Sequence, residues 1–120
     1  MSTAYELMAI ETIVHALKAK IPEAEHDTTP TPIIAAPGSW LRQVAKDLGA
    51  AEGEVPASIH NCDVFQEDGL PEPVMITHDE KVYRVRQAIE HIGKEPAAES
   101  EASAAERRTL ALLRQTAKAA

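Results

Sequence analysis

Tyr5, Trp40, Phe65 and Tyr83 are the only aromatic side chains among 120 residues, and that scarcity limits how a core can be built. Aromatic rings each bury a large area. Without them the interior has to come from Leu, Ile, Val and Ala, in a chain that is 44% apolar. That is enough for one modest core in a single folded unit. Alanine is the strongest helix former, so the many alanines imply a helix-rich interior and a mainly α fold.

Cys62 is the single cysteine, which excludes an intramolecular disulfide and with it a disulfide-stapled secreted fold. The first residues lack a basic stretch followed by an apolar one, and no apolar run approaches the ~20 residues of a membrane span. A reducing cytoplasm is the expected setting. The formal net charge of −7, from 19 acids against 12 bases, favours solubility. It repels phosphate backbones unless the bases gather on one face.

Leu7, Ile10, Ile13, Val14, Leu17 and Ile21 recur at three- and four-residue spacing, predicting one amphipathic helix over residues 3–21. Thr3 and Glu6 fit a capping box at its start, and Pro22 stops it. Residues 22–38 read as a proline-punctuated connector in which Ile33 and Ile34 make a short strand. Ser39 suits an N-cap for a second helix that carries Trp40, Leu41, Val44, Ala45 and Leu48 and closes at Gly49. A third short helix is expected over about residues 54–64, with Pro56 in its first turn, where a missing N–H costs nothing.

Residues 66–71 read as a turn. Val74-Met75-Ile76-Thr77 and Val82-Tyr83-Arg84-Val85 flank a short polar stretch and predict a hairpin. A helix is the alternative, because Val82, Val85, Ile89 and Ile92 are also helically spaced and Thr77 with Glu80 would cap it. The hairpin is preferred, with a helical turn beginning near Gln87. Residues 94–103 are low in complexity and read as a flexible linker. Ser103 and Glu106 form a further capping box, opening a C-terminal helix over residues 104–120 with Leu110, Leu113 and Ala117 on one stripe.

The order helix, strand, helix, turn, helix, hairpin resembles a winged helix-turn-helix across residues 39–87. Leu41 to Gly49 is similar to the first helix and turn of that motif. Ala45 is small where the helices would cross, Val44 and Leu48 would bury between them, and Val55 and Ile59 would anchor the second helix. The resemblance implies residues 1–93 as one winged-helix-like domain with a tethered C-terminal helix. It also implies a DNA-binding transcription regulator acting as a dimer. Its second helix would enter the major groove and its wing would touch the backbone.

On that reading Ser58, His60 and Asn61 face the groove, while Arg42, Lys46, Lys81, Arg84 and Arg86 contact phosphates. Arg84 and Arg86 would share one strand face. Leu110, Leu113 and Ala117 would serve a homodimer. The rival reading is a protein-binding adaptor or assembly component, such as a phage or plasmid accessory protein, that touches no nucleic acid. It is favoured by the acid excess and by the absence of Lys and Arg from residues 54–64.

Catalytic and metal chemistry find little footing. His60, Cys62 and Asp63 lack the paired spacing of a zinc site, so Cys62 reads as a small apolar filler. No glycine-rich phosphate loop and no carboxylate pair in an apolar setting is present. No enzyme activity, metal or cofactor is expected.

Overall fold

The computed structural model describes residues 3–22, 31–49, 54–77, 79–92 and 100–119, with side chains in the last segment to Leu112 and at Gln115. The architecture is a mixed sheet with helices against both faces. Helix α1 (Ala4–Ala19) precedes strand β1 (Ile33–Ala36) and helix α2 (Gly38–Asp47). Strands β2 (Ser58–Ile59), β3 (Cys62–Gln66), β4 (Val74–Ile76) and β5 (Val82–Arg84) follow. Then come α3 (Val85–Ala88), a 3-10 turn over Ile89–His91 and α4 (Ala104–Ala119). The strand order is β2-β3-β1-β4-β5. Strand β1 runs parallel to β3 and antiparallel to β4.

The mainly α expectation is therefore corrected to mixed α/β. The reason lies partly in alanines that serve the sheet. Ala35 and Ala36 sit on the central strand, fully buried, and their small side chains let cover on both sides approach closely. Ile33-Ile34-Ala35-Ala36 is an uninterrupted apolar run because a strand covered on both faces has no polar side to show.

Register sorts the core into two layers. Ile34 stands opposite Met75, and Met75 opposite Tyr83. These three join Ala36, Ile59 and Cys62 on the first face, beneath Ile10, Ile13 and Val14 of α1 and Trp40, Leu41 and Val44 of α2. Ile33 stands opposite Ile76, and Ile76 opposite Val82. With Ala35, Val74 and Leu70 they form the second face, covered by Ala105 and Leu110 of α4.

The helix predicted over residues 3–21 is present, but its start is built differently. Thr3 donates both its N–H and its hydroxyl to Asp47 Oδ2, each at 2.8 Å. Glu6 instead accepts from Trp40 Nε1 and from Arg86 Nε at 3.4 Å. The Thr3–Glu6 capping box thus gives way to two ties between α1 and later elements. Ser39 likewise does not cap α2: Asp68 Oδ1, from the turn after β3, accepts the Gly38 N–H at 2.8 Å. Gly49 closes α2 at φ +81, as the left-handed cap requires.

The third helix expected near 54–64 is not formed. Ser58–Ile59 and Cys62–Gln66 pair antiparallel, with Ser58 opposite Asp63 and Ile59 opposite Cys62. His60 and Asn61 take φ 49 and 66 between them, the two-residue, positive-φ turn that matches strand twist. Ile59 and Cys62 are buried while Ser58 and Asp63 are exposed, a period-two pattern that sheet pairing rewards over a helix. The segment that would have been a groove-reading helix is a hairpin.

The hairpin reading of residues 74–85 holds, and the helical alternative begins only at Val85. The connecting turn is closed by the Glu80 N–H to Thr77 O at 3.1 Å, with Lys81 N–H donating to Thr77 Oγ1 at 3.0 Å. The Ser103–Glu106 capping box also forms. Ser103 N–H donates to Glu106 Oε1 at 2.6 Å and Glu106 N–H to Ser103 Oγ at 3.3 Å. The linker expected at 94–103 lies outside the described residues as far as Glu99. Ser100 N–H donates to Val82 O at 2.7 Å on the outer side of β5.

Candidate binding surfaces

The five cations assigned to phosphate contacts come from four separate parts of the fold, and Arg84 and Arg86 turn to opposite faces of the sheet. Arg84 ends β5 and turns to the second face. Its Nη1 donates to Glu106 Oε2 at 2.7 Å and its Nη2 to Glu106 Oε1 at 3.1 Å and Glu101 O at 2.8 Å. The Glu106 side chain is completely buried. This fork-to-fork pair is the strong geometry for Arg and a carboxylate, and it fastens the first turn of α4 to β5.

Arg86 lies in α3, not on a strand, and reaches Glu6 of α1 on the first face. The expected common face of Arg84 and Arg86 is thereby corrected: the strand ends between them, so they diverge. Lys81 stands 3.7 Å from Asp79 beside the hairpin turn. Arg42 and Lys46 are exposed on α2. Ser58, His60 and Asn61 are exposed on the β2–β3 hairpin, without a helix to carry them.

The dimer stripe is spent at its first member. Leu110 is buried in the chain's own second core; the side chains of Leu113 and Ala117 lie outside the described residues. Among the described residues no cluster of three His, Cys, Asp or Glu is placed to hold a metal. Cys62 is buried, and burial, with the nearby Asp63 charge, pushes its thiol up to about 11. At neutral pH it carries no thiolate to attack with, in keeping with a core filler. No helix among the described residues is long and apolar enough to cross a membrane.

A different feature stands open on the first face. Leu7, Met8 and Glu11 of α1, Leu48 after α2, and Ser58, Ile59 and His60 of the hairpin line a groove of about 330 Å³. Ile59 at its floor is buried, whereas Met8 is 47% and Leu48 64% exposed. Tyr5, three positions before Met8 on α1, is exposed too. A smaller recess lies on the second face between β3 and α4, where Phe65 and Leu112 are exposed.

Sequence reasoning missed this groove for identifiable reasons. Met8 falls beside the buried stripe of α1, where a single exposed apolar residue is unremarkable. The winged-helix reading buries Leu48 against a following helix. With a hairpin there instead, Val44 is buried and Leu48 is left outside. Val55 loses its expected partner in the same way and is exposed, while Ile59 finds the core from a strand.

The Thr3 N–H, then its hydroxyl, then Gln43, hold the Asp47 carboxyl below its ordinary value at the α1–α2 junction. Glu11 is the only carboxylate among the groove's described lining residues, with His15 3.6 Å away on the next turn. The groove's described lining offers apolar contact, one carboxylate, one imidazole and strand-edge backbone. No family model matches the chain, and neither a curated protein nor a solved structure matches it.

Proposed function

We propose that the protein is a binding adaptor that docks a protein partner in the groove between α1, the end of α2 and the β2–β3 hairpin. It acts without catalysis and without reading duplex DNA. One observation carries this: the cations that would have met phosphates are dispersed, and Lys81, Arg84 and Arg86 are each beside a carboxylate. Meanwhile large apolar side chains line an open groove. Apolar groups clustered at an open groove favour protein contact, and a net charge of −7 opposes approach to a polyanion.

The reading is tested by placing a photo-crosslinking amino acid at Leu48 and, as a control, at Arg107, which is exposed on α4. A discrete protein adduct from position 48 alone is expected. Adducts to nucleic acid, or equal labelling from both positions, would refute it.

A further inference from the structure

We infer that the groove captures an extended segment of a partner chain, which adds as a strand to β2 and carries a basic residue for Glu11. This rests on the adaptor reading and specifies how the partner is held. Strand β2 is last in the sheet order. Ser58 stands between two hydrogen-bonded positions: Ile59 and Cys62 close the two-residue turn, and Val64 N–H donates to Ala57 O at 3.1 Å. Bonded and non-bonded pairs alternate along an antiparallel ladder. The Ser58 N–H and C=O therefore point away from β3, toward the open edge, and among the described residues nothing is paired with them.

The groove lies on the side where such a strand would need it. Ile59 turns its side chain to the first face and forms part of the groove floor. In an added strand, the residue opposite Ser58 would share the Ser58 face. Its two neighbours would project onto Leu7, Met8, Leu48 and Ile59, because successive side chains alternate. Main-chain bonds supply affinity and alternate side chains supply choice, the logic of strand addition. The pattern selected is apolar, any residue, apolar. Because β2 is only two residues long, the added strand is short and the side chains in the groove supply the remaining contact.

Charge fixes one more feature of the occupant. Glu11 is half exposed on the groove wall, and the chain carries −7 overall. A lysine or arginine on the groove side of the segment meets that carboxylate, and a basic segment is drawn to the acidic chain from a distance.

The test begins with the full chain panned against random peptides displayed on phage. Enriched peptides should show apolar residues at alternate positions with a nearby Lys or Arg. The best synthetic peptide should then lose about tenfold in affinity when the N–H of its residue opposite Ser58 is methylated, the cost of one main-chain hydrogen bond and the strain around it. Ser58→Pro, which removes the edge donor where proline is tolerated, should weaken binding similarly. Glu11→Lys should weaken basic peptides only.

Enriched peptides with helical spacing, or a peptide indifferent to both backbone changes but lost in Leu48→Glu, would overturn strand addition and leave the adaptor reading standing. Self-association abolished by Ser58→Pro would overturn the choice of a foreign segment. If no peptide is enriched and position 48 also yields no crosslink, both readings fall.

Discussion

The sheet's two faces are covered by different means. On the first, α1 and α2 lay Ile10, Ile13, Val14, Trp40, Leu41 and Val44 over Ile34, Met75 and Tyr83, a mainly apolar contact with polar ties only at its margins. On the second, α4 brings Ala105 and Leu110 over smaller side chains, and a buried ion pair stands within the same layer. Apolar burial is non-directional and grows with area. A buried ion pair adds little net stability over an apolar one but is costly to break. The first face thus supplies most of the cohesion, and the second fixes where α4 sits.

The largest test of this contrast removes one member of the pair. Arg84→Ala leaves the Glu106 carboxylate buried without its cation and is expected to cost about 3–5 kcal/mol in denaturant unfolding. Arg84→Met with Glu106→Leu should regain most of that loss, because the vacated charges no longer need solvation. If the single change costs no more than a surface substitution, the pair is not what holds α4. Amide exchange sharpens the point: in Arg84→Ala, residues 104–112 should lose protection while α1 keeps its own.

The first face predicts a smaller, graded response. Ile34→Val removes one methyl group from a fully buried side chain and should cost about 1 kcal/mol. Exchange in α1 and α4 should rise together, since the central strand serves both layers. A loss confined to one helix would separate the layers more than the shared strand β1 allows.

The same contrast explains what could be read in advance. The stripe from Leu7 to Leu17, the Ser103–Glu106 box and the Gly49 cap are short-range patterns, and each reappears in the fold; Ile21 falls beyond the end of α1. The hairpin at Val74–Arg84 was legible from its β-branched residues on both sides of a polar turn. The failures at the helix starts involve partners distant in the chain. Thr3 met Asp47, 44 positions away, before it could cap α1. Asp68 caps α2 in place of Ser39, bonding Gly38 from 30 positions away.

Segment 54–66 went to the sheet because β1 supplied a parallel partner for β3, which no local signal in residues 54–64 announces. His-Asn is also a weaker turn signal than Asn-Gly. Of the candidate site, the sequence singles out only Ser58 and His60 among the groove's lining residues, for a different role and on an element of the opposite kind. The Arg84 partner is hidden in the sequence because Glu106 already has a satisfying local role in the capping box. It fills both roles at once.

Acid should loosen one corner of the first face. Asp47's carboxyl is held below its ordinary value of 3.8 by the Thr3 N–H and hydroxyl. Its folded value is below its unfolded one. Its contribution is therefore present above the ordinary value and is lost as pH falls through the lower, folded one. Asp47→Asn should remove that part of the acid dependence, with α1's first turn already frayed at neutral pH by amide exchange. An unchanged acid limb would show that the Thr3–Asp47 tie does not contribute.

The smallest effect has the opposite sign. His60 holds φ 49, which a residue with a Cβ adopts at a cost. His60→Gly should stabilise by about 0.5–1 kcal/mol and leave the groove's apolar floor intact. Destabilisation would mean that the His60 side chain contributes contacts beyond the turn.

Arg84 and Arg86 are engaged with Glu106 and Glu6 inside the fold, and on the proposed reading binding belongs to the open groove on the first face. Fluorescence anisotropy of labelled random-sequence duplex DNA, titrated with the full chain at low and then moderate salt, tests it most directly. No rise in anisotropy at low salt is the predicted result. Micromolar binding that falls steeply with salt would contradict it and return those cations to a phosphate-binding role.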